Sequence, residues 1–224
     1  MKREGKDMLC IKNGLIHDAV NREAYKGDIL IENGKISAIG SDISVTEGTE
    51  IIDAEGLQIY PGFVEAHCHL GLDNYACGFE GDDYNEMTDI ICPQLRGCDG
   101  IYPQDPTLKM AAEGGVTCVA TGPGSANVLG GTFVAIKTVG KRVDKMIVKD
   151  PIAMKCAFGE NPKRCYRDKS CSCRMDIASK LRETLKRARD YMERKELAGD
   201  DISKCPVYDP KLEALIPVLK KEIP

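Results

Sequence analysis

The sequence contains no tryptophan, few other aromatic residues and little net charge. Its 224 residues include four Phe and three His, and the formal net charge is -4. Scarce aromatic side chains argue against recognition of nucleic-acid bases by stacking. A slightly acidic chain also lacks electrostatic attraction for phosphate backbones or anionic membranes. We therefore expect neither a nucleic-acid partner nor a membrane partner.

Long apolar runs are also missing from the chain. No run approaches the roughly 20 apolar residues that span a bilayer, and the charged start MKREGKDMLC has no apolar signal core. A cytoplasmic protein is therefore expected. The chain has eleven cysteines. An odd number without a secretory signal predicts reduced thiols and not a disulfide framework.

Residues 1–60 are predicted to form a small β domain with a sandwich-like sheet, because short apolar segments alternate there with turn residues. Asn33-Gly34 lies between Asp28–Glu32 and Lys35–Ile39, and it is the pair that a type I′ hairpin turn favours. His17 also lies in this segment. It has no ligand-like neighbour in the sequence, and we interpret it as a surface turn residue.

The most informative stretch is Pro61–Gly71, with the sequence PGFVEAHCHLG. His67 and His69 are two residues apart at the end of an apolar run, and residues i and i+2 of a strand face the same side. Two neutral imidazoles on one face can bind a divalent metal such as zinc. Two ordinary histidines at a strand end are the alternative.

Residues 61–224 are predicted to form strands that alternate with loops and helices, in an α/β arrangement like the first part of a TIM-type barrel. Four strands are predicted: Phe63–His67, Val116–Thr121, Thr132–Thr138 and Ile152–Phe158. Helices are predicted after Asp105-Pro106, over Met175–Ala198, and over Asp209–Lys221 with an interruption at Pro217.

A glycine-rich segment, Gly122–Gly131, follows the second of these strands. It lacks the Lys-Ser/Thr of a phosphate-binding P-loop, so a tight loop at the mouth of a site is the better interpretation. Ser125 and Asn127 within it are candidate substrate contacts. The long loop before it, Gly71–Pro103, is rich in carboxylates, which indicate either a solvated loop or the edge of a site.

Lys155 lies inside the apolar run of the fourth strand, where a lysine is rarely buried unless it is paired. A side chain that reaches solvent at the strand end, or an ion pair with Glu160, would explain it. Glu160 in the following turn is also a candidate substrate contact. A third interpretation of Lys155 comes from family resemblance.

The phrase PGFVEAHCHLG, preceded by DILIENGKISAIG and IIDAEGLQIY, resembles the amidohydrolase superfamily, whose pattern is Pro-Gly-aliphatic-aliphatic-Asp-x-His-x-His. The HCHLG and TGPGSAN segments are most similar to its imidazolonepropionase-like branch. Glu65 stands where Asp is usual, which keeps a carboxylate on the histidine face. The resemblance implies a small β-sandwich beside a barrel, and a divalent metal, most simply zinc, held by His67 and His69. It also implies a carbamylated Lys155 as a further ligand.

The same resemblance implies two later histidines and an aspartate that serves as metal ligand and general base. No histidine follows His69, and a complete barrel takes about 250 residues. We therefore expect an incomplete barrel, with the general base outside this chain. The expected function is the N-terminal portion of a metal-dependent amidohydrolase acting on cyclic amides, dipeptides or related C–N bonds. The alternative is a non-catalytic fragment or subunit whose partner chain supplies the remaining strands. A homo-oligomer also stays open.

Three cysteines close in sequence, Cys165, Cys171 and Cys173, allow a different hypothesis. A zinc or iron–sulfur site would make the protein a cysteine-based metal or redox protein. Their spacing fits none of the usual structural zinc patterns, so free thiols on a basic loop are the prediction.

Overall fold

A computed structural model of the chain describes residues 8–75 and 77–224. The strands are β1 (Met8–Ile16), β2 (Tyr25–Glu32), β3 (Lys35–Gly40), β4 (Glu50–Asp53), β5 (Gln58–Ile59), β6 (Phe63–Cys68), β7 (Val116–Thr121), β8 (Leu129–Lys137) and β9 (Ile147–Cys156). The helices are α1 (Gly97–Gly100), α2 (Pro106–Glu113), α3 (Val143–Met146), α4 (Glu160–Cys165), α5 (Arg174–Ala198), α6 (Pro210–Glu213) and α7 (Ile216–Leu219). The chain divides into two compact units, and the second begins at Val64.

The first unit contains one five-stranded sheet built around β1. The strand order is β3-β2-β1-β4, and β5 also pairs with β1. β2 is antiparallel to both of its neighbours, whereas β4 and β5 run parallel to β1. The turn between β2 and β3 has φ values of 53° at Asn33 and 73° at Gly34. Positive φ at both positions is the type I′ geometry, so the predicted hairpin is confirmed.

The second unit contains a four-stranded sheet with the order β6-β7-β8-β9. The α/β class and the four strands agree with the prediction, but β8 runs antiparallel to both β7 and β9. Only residues 122–128 join β7 to β8, whereas a parallel crossover needs about a dozen residues or more. The short connection therefore returns β8 antiparallel, and this pair does not form the βα unit that the barrel prediction implied.

The helices follow the sequence signals closely. Asp105 caps α2 by accepting a hydrogen bond from the Thr107 amide, and Pro106 takes the first turn. α5 is 25 residues long, close to the predicted Met175–Ala198, and it buries Ile177 and Ala188. The predicted last helix is two short helices, α6 and α7, with Pro217 in the first turn of α7. The predicted interruption is thereby confirmed.

Strand β8 lies between two hydrophobic clusters of the second unit. Val134 and Ile136 pack with Leu72 and Leu108 in one cluster, whereas Leu129 packs against α5 and α6 in another. A third cluster surrounds the buried ring of Tyr166. Within the described residues, no helix is both long enough and apolar enough to cross a membrane.

Candidate metal and substrate site

His67 of strand β6 and His69, which directly follows the strand, face the same side, as their spacing predicted. The ring centroids of His67 and His69 are 5.6 Å apart, and the ring planes are nearly perpendicular at 83°. His67 is exposed and His69 is half-buried. Both rings contact Phe133 of β8, with centroid distances of 5.1 Å from His67 and 6.4 Å from His69. The pair is therefore fixed against the sheet and has an open side.

The orientation of His69 is set by two neighbours. Its Nδ1 lies 2.8 Å from the Gly122 carbonyl oxygen, which can only accept, so Nδ1 carries the proton. Its ring stacks on Tyr84 with a centroid distance of 5.3 Å and an angle of 18°. A histidine that donates from one ring nitrogen presents the lone pair of the other, here Nε2, to a metal.

His67 is paired with Lys155 from the end of β9. The Lys155 Nζ lies 3.4 Å from His67 Nε2 and 5.8 Å from the centroid of the Phe133 ring. Burial and then the Lys155 charge hold the pKa of His67 below its ordinary value. Burial also lowers the pKa of Lys155. Both shifts favour the neutral forms, which are the forms that bind metal or react as a free amine.

The expected ion pair between Lys155 and Glu160 does not form. Glu160 instead approaches Lys163, with an Oε2–Nζ distance of 3.4 Å. Lys155 therefore faces the histidine and not the following turn. The ion-pair interpretation of Lys155 is therefore wrong. The side chain is half-buried at the strand end, next to His67.

The donor set fits a divalent metal in part. His67, His69 and Lys155 converge. The hydrogen bond from His69 Nδ1 to the Gly122 carbonyl oxygen orients the ring as in metal-binding histidines. Glu65 turns its Oε1 onto the backbone amide of His67 at 3.0 Å. Among the described residues, no group of three or more His, Cys, Asp or Glu is placed to hold a metal. Two imidazoles and one lysine are thus the donors that the described part of the chain brings together.

Ser125 lies in the loop after β7, and Glu160 begins α4 at the end of the loop after β9. The Ser125 hydroxyl accepts a hydrogen bond from Asn161 Nδ2 at 2.6 Å. Asn161 is the neighbour of Glu160 in α4. The two loops are therefore joined directly. They leave the same strand ends that supply the Gly122 carbonyl and Lys155.

Asn127 does not reach a surface where substrate could bind. It is 1% exposed, and its Nδ2 lies 2.8 Å from the carbonyl oxygens of Glu86 and Asp89 and 2.9 Å from the Tyr166 hydroxyl. The amide joins the glycine-rich segment to the long acidic loop. This interior position gives Asn127 a loop-organising role in place of the expected substrate contact.

Two residues near the histidines, Phe133 and Tyr84, have no signal in the sequence that marks them. A third, Gly122, is recognisable only as part of a glycine-rich segment. A Cβ at Gly122 would lie 2.5 Å from Phe133 Cδ2, so only glycine allows this backbone to approach the ring while its carbonyl meets His69. The glycine-rich composition predicted a close approach without naming the partner.

The remaining histidine and the cysteine trio have contacts of their own. In the first unit, His17 Nε2 is 2.9 Å from Gln58 Oε1, and its ring stacks on Tyr60 at 4.3 Å. Cys165, Cys171 and Cys173 are free thiols, as are the other cysteines. Cys171 is buried in the cluster around Tyr166, where it acts as a small apolar side chain.

Comparison with known proteins gives consistent results. The crystal structure of an amidohydrolase from Thermotoga maritima MSB8 matches with 40% identity and a TM-score of 0.89, covering 96% of this chain and 56% of that one. Amidohydrolase tasK of Hapsidospora irregularis is 34% identical over 189 residues, which are 77% of this chain and 19% of that protein. A dihydroorotase of Aquifex aeolicus is 48% identical over 62 residues, 28% of this chain and 14% of that enzyme.

The chain thus spans about half of the Thermotoga structure and a smaller share of these curated relatives. No family model matches it. The resemblance read from PGFVEAHCHLG agrees with proteins found independently by sequence and by structure. On these grounds, the chain belongs to the amidohydrolase superfamily.

Proposed function

We propose that this chain carries the first metal ligands of a metal-dependent amidohydrolase that hydrolyses C–N bonds in cyclic amides, dipeptides or related substrates. The observation that carries the proposal is the convergence of His67, His69 and Lys155 beside Phe133. The names of the relatives, amidohydrolase and dihydroorotase, support the same reaction class. The imidazolonepropionase-like branch stays a prediction from the HCHLG and TGPGSAN segments.

His67 and His69 would hold the metal, most simply zinc, through their Nε2 atoms, and Lys155 would join them as a carbamate. A bound divalent metal supplies Lewis acidity and lowers the pKa of bound water toward about 7. The chain's own contribution is to keep both rings oriented. Gly122 holds His69 by its carbonyl, and Phe133 packs against both imidazoles.

Carbamylation of Lys155 fits its surroundings. A carbamate forms when the neutral amine attacks carbon dioxide and loses a proton, so a lowered pKa of the lysine favours it. The modification exchanges a cation for an anion at 3.4 Å from His67 Nε2. That exchange removes the repulsion between the Lys155 ammonium group and a metal cation bound by His67.

Substrate contacts are proposed at the loops after β7 and β9. Ser125 and Glu160 are the candidates, because the hydrogen bond from Asn161 to Ser125 holds these loops together at the strand ends that carry the site. We leave Asn127 out of the proposed set because it is buried.

The second candidate function is a non-catalytic subunit whose partner chain, or a second copy, completes the barrel. It is favoured by the exposure of β6, where the side chains of Phe63 and Val64 are 56% and 69% exposed. Apolar strand residues exposed in this way mark surfaces that are normally covered. The two candidates differ in whether the isolated chain binds metal at all.

Zinc content of the purified chain tests the proposal. We expect the chain to bind zinc, His67→Gln and His69→Gln to lose it, and the matched control His17→Gln to retain it. Lys155→Met should weaken zinc binding. Added carbon dioxide should strengthen zinc binding by the parent chain and leave that of Lys155→Met unchanged. Retention of zinc by both His67→Gln and His69→Gln would exclude the site. A purified chain that binds no zinc would favour the non-catalytic subunit.

A further inference from the structure

A second site is indicated by a cavity of about 370 Å³ in the second unit, between the segment around Gln94, the strands β8 and β9, and the helices α6 and α7. Its walls are largely apolar and include Pro151, Pro217 and Ile223. Rigid proline rings give it a preformed shape, which reduces the ordering that a ligand would have to impose.

Three buried polar atoms without hydrogen-bond partners belong to residues that line this cavity. They are Gln94 Oε1, Thr132 Oγ1 and Asp150 Oδ1, unpartnered among residues 8–75 and 77–224. Buried polar atoms are paired in more than about nine cases in ten, so three in one cavity wall need a partner. Each is nearly inaccessible itself, so side-chain rotation at the wall must accompany any contact.

Asp150 is anchored while one of its oxygens stays free. Its Oδ2 lies 2.7 Å from Arg96 Nη2 and 3.3 Å from the Cys98 thiol, and its side chain is 10% exposed. The Arg96 ion pair and the Cys98 contact therefore engage Oδ2. The other oxygen, Oδ1, is left as a buried acceptor at the cavity wall.

The cavity is separate from the histidine pair. Thr132 and Phe133 are consecutive in β8, and consecutive strand residues face opposite sides of a sheet. Phe133 contacts the histidines, so Thr132 faces away from them. Along β9, Asp150 and Lys155 are separated by about 16 Å at ~3.3 Å per residue. A ligand in the cavity would therefore not be the molecule that is hydrolysed.

We propose that this cavity binds a small primary ammonium compound with an apolar body. Gln94 Oε1 and Asp150 Oδ1 are acceptors, and the Thr132 hydroxyl can accept as well. An ammonium head has three N–H donors and no acceptor, so it matches three acceptors with none left over. The carboxylates of Asp150 and Glu213 outnumber the Arg96 guanidinium among the charged lining residues, which favours a cation, and the proline and isoleucine side chains suit an alkyl chain.

Binding of n-butylammonium to the 224-residue chain at pH 7, followed by titration calorimetry and saturation-transfer NMR, tests the proposal. n-Butyrate and n-butanol serve as probes of opposite and zero charge. We expect saturable binding of n-butylammonium, at least tenfold tighter than that of either other probe. Thr132→Val should weaken it about tenfold, because it removes a hydrogen bond to a charged group.

Thr107→Val is the matched control. Thr107 Oγ1 is also buried and unpartnered within the described residues, but Thr107 does not line the cavity. It should leave binding within about twofold. Thr132→Val loses no protein hydrogen bond, so folding should survive, and far-UV circular dichroism checks this. The proposal is overturned if n-butylammonium does not bind saturably, if n-butyrate or n-butanol binds as tightly, or if both threonine variants behave alike.

Discussion

Replacing Tyr166 with phenylalanine tests how the acidic loop is held beside the candidate site. The Tyr166 side chain is almost completely buried. Its hydroxyl donates to the Glu86 carbonyl oxygen at 2.5 Å and accepts from Asn127 Nδ2 at 2.9 Å. Burial raises the pKa of Tyr166 well above its ordinary value, so the hydroxyl stays protonated and remains a donor. Phenylalanine keeps the ring and removes only this link.

The cost should be that of the one hydrogen bond that the hydroxyl donates, because Asn127 Nδ2 keeps the carbonyl oxygens of Glu86 and Asp89 as acceptors. The Glu86 carbonyl keeps its contact with Asn127, so no acceptor is stranded and the loss should be about 1–1.5 kcal/mol. A loss of about 1.4 kcal/mol corresponds to a tenfold change in a local opening equilibrium. Amide exchange should report it at the loop contacts, where the Gly124 amide bonds Tyr84 and the Val128 amide bonds Ile90.

Hydrogen exchange followed by mass spectrometry on peptides covering residues 122–131 is the assay. We expect exchange about tenfold faster in Tyr166→Phe than in the parent chain. Tyr102→Phe is the control, since the Tyr102 side chain is 48% exposed and its hydroxyl makes only a 3.3 Å contact with Gln104. A change below twofold in Tyr166→Phe, or an equal change in the control, would refute the proposed role of this hydroxyl.

Gly122→Ala should lower stability by about 1–3 kcal/mol, because its Cβ would lie 2.5 Å from Phe133 Cδ2. Gly40→Ala meets nothing within 4 Å, and equal thermal unfolding midpoints for the two variants would contradict the packing argument. Backbone hydrogen bonds, first that of Asn21, lower the pKa of Asp18 to about 2. Its stabilisation is therefore present above about pH 4 and lost as pH falls through 2. Acid destabilisation should shrink in Asp18→Asn, and an NMR midpoint near 4 for Asp18 would disprove this.

The elements that the sequence predicts well are those governed by local rules. The bounds of β7 match the prediction, because glycines flank its apolar run. Asp105-Pro106 and the following glycines mark α2 for the same kind of reason. Hydrophobic periodicity and end signals lie within a few residues, so they need no knowledge of the fold.

The features that could not be predicted depend on contacts far apart in sequence. The antiparallel direction of β8 follows from the short connection between β7 and β8. The sequence shows the length of this connection, but it does not show which strands pair with β8. Asn127 has the same polarity as a substrate-binding residue, and only the positions of Glu86 and Tyr166 show that it is buried. His67 and His69 were predictable as a pair through spacing, whereas Phe133 and Tyr84 beside them carry no motif.

The glycine-rich segment is enclosed by its surroundings, with residues 122–124 and 126–134 buried. A backbone that is packed on all sides has little free volume for motion. This segment therefore forms a rigid floor of the candidate site and not a mobile lid. Access to the two imidazoles would then depend on the outer loop that carries Tyr84, whose ring stacks on His69. Differences in turnover rate between relatives should accordingly track changes in that outer loop, while the floor tolerates few substitutions.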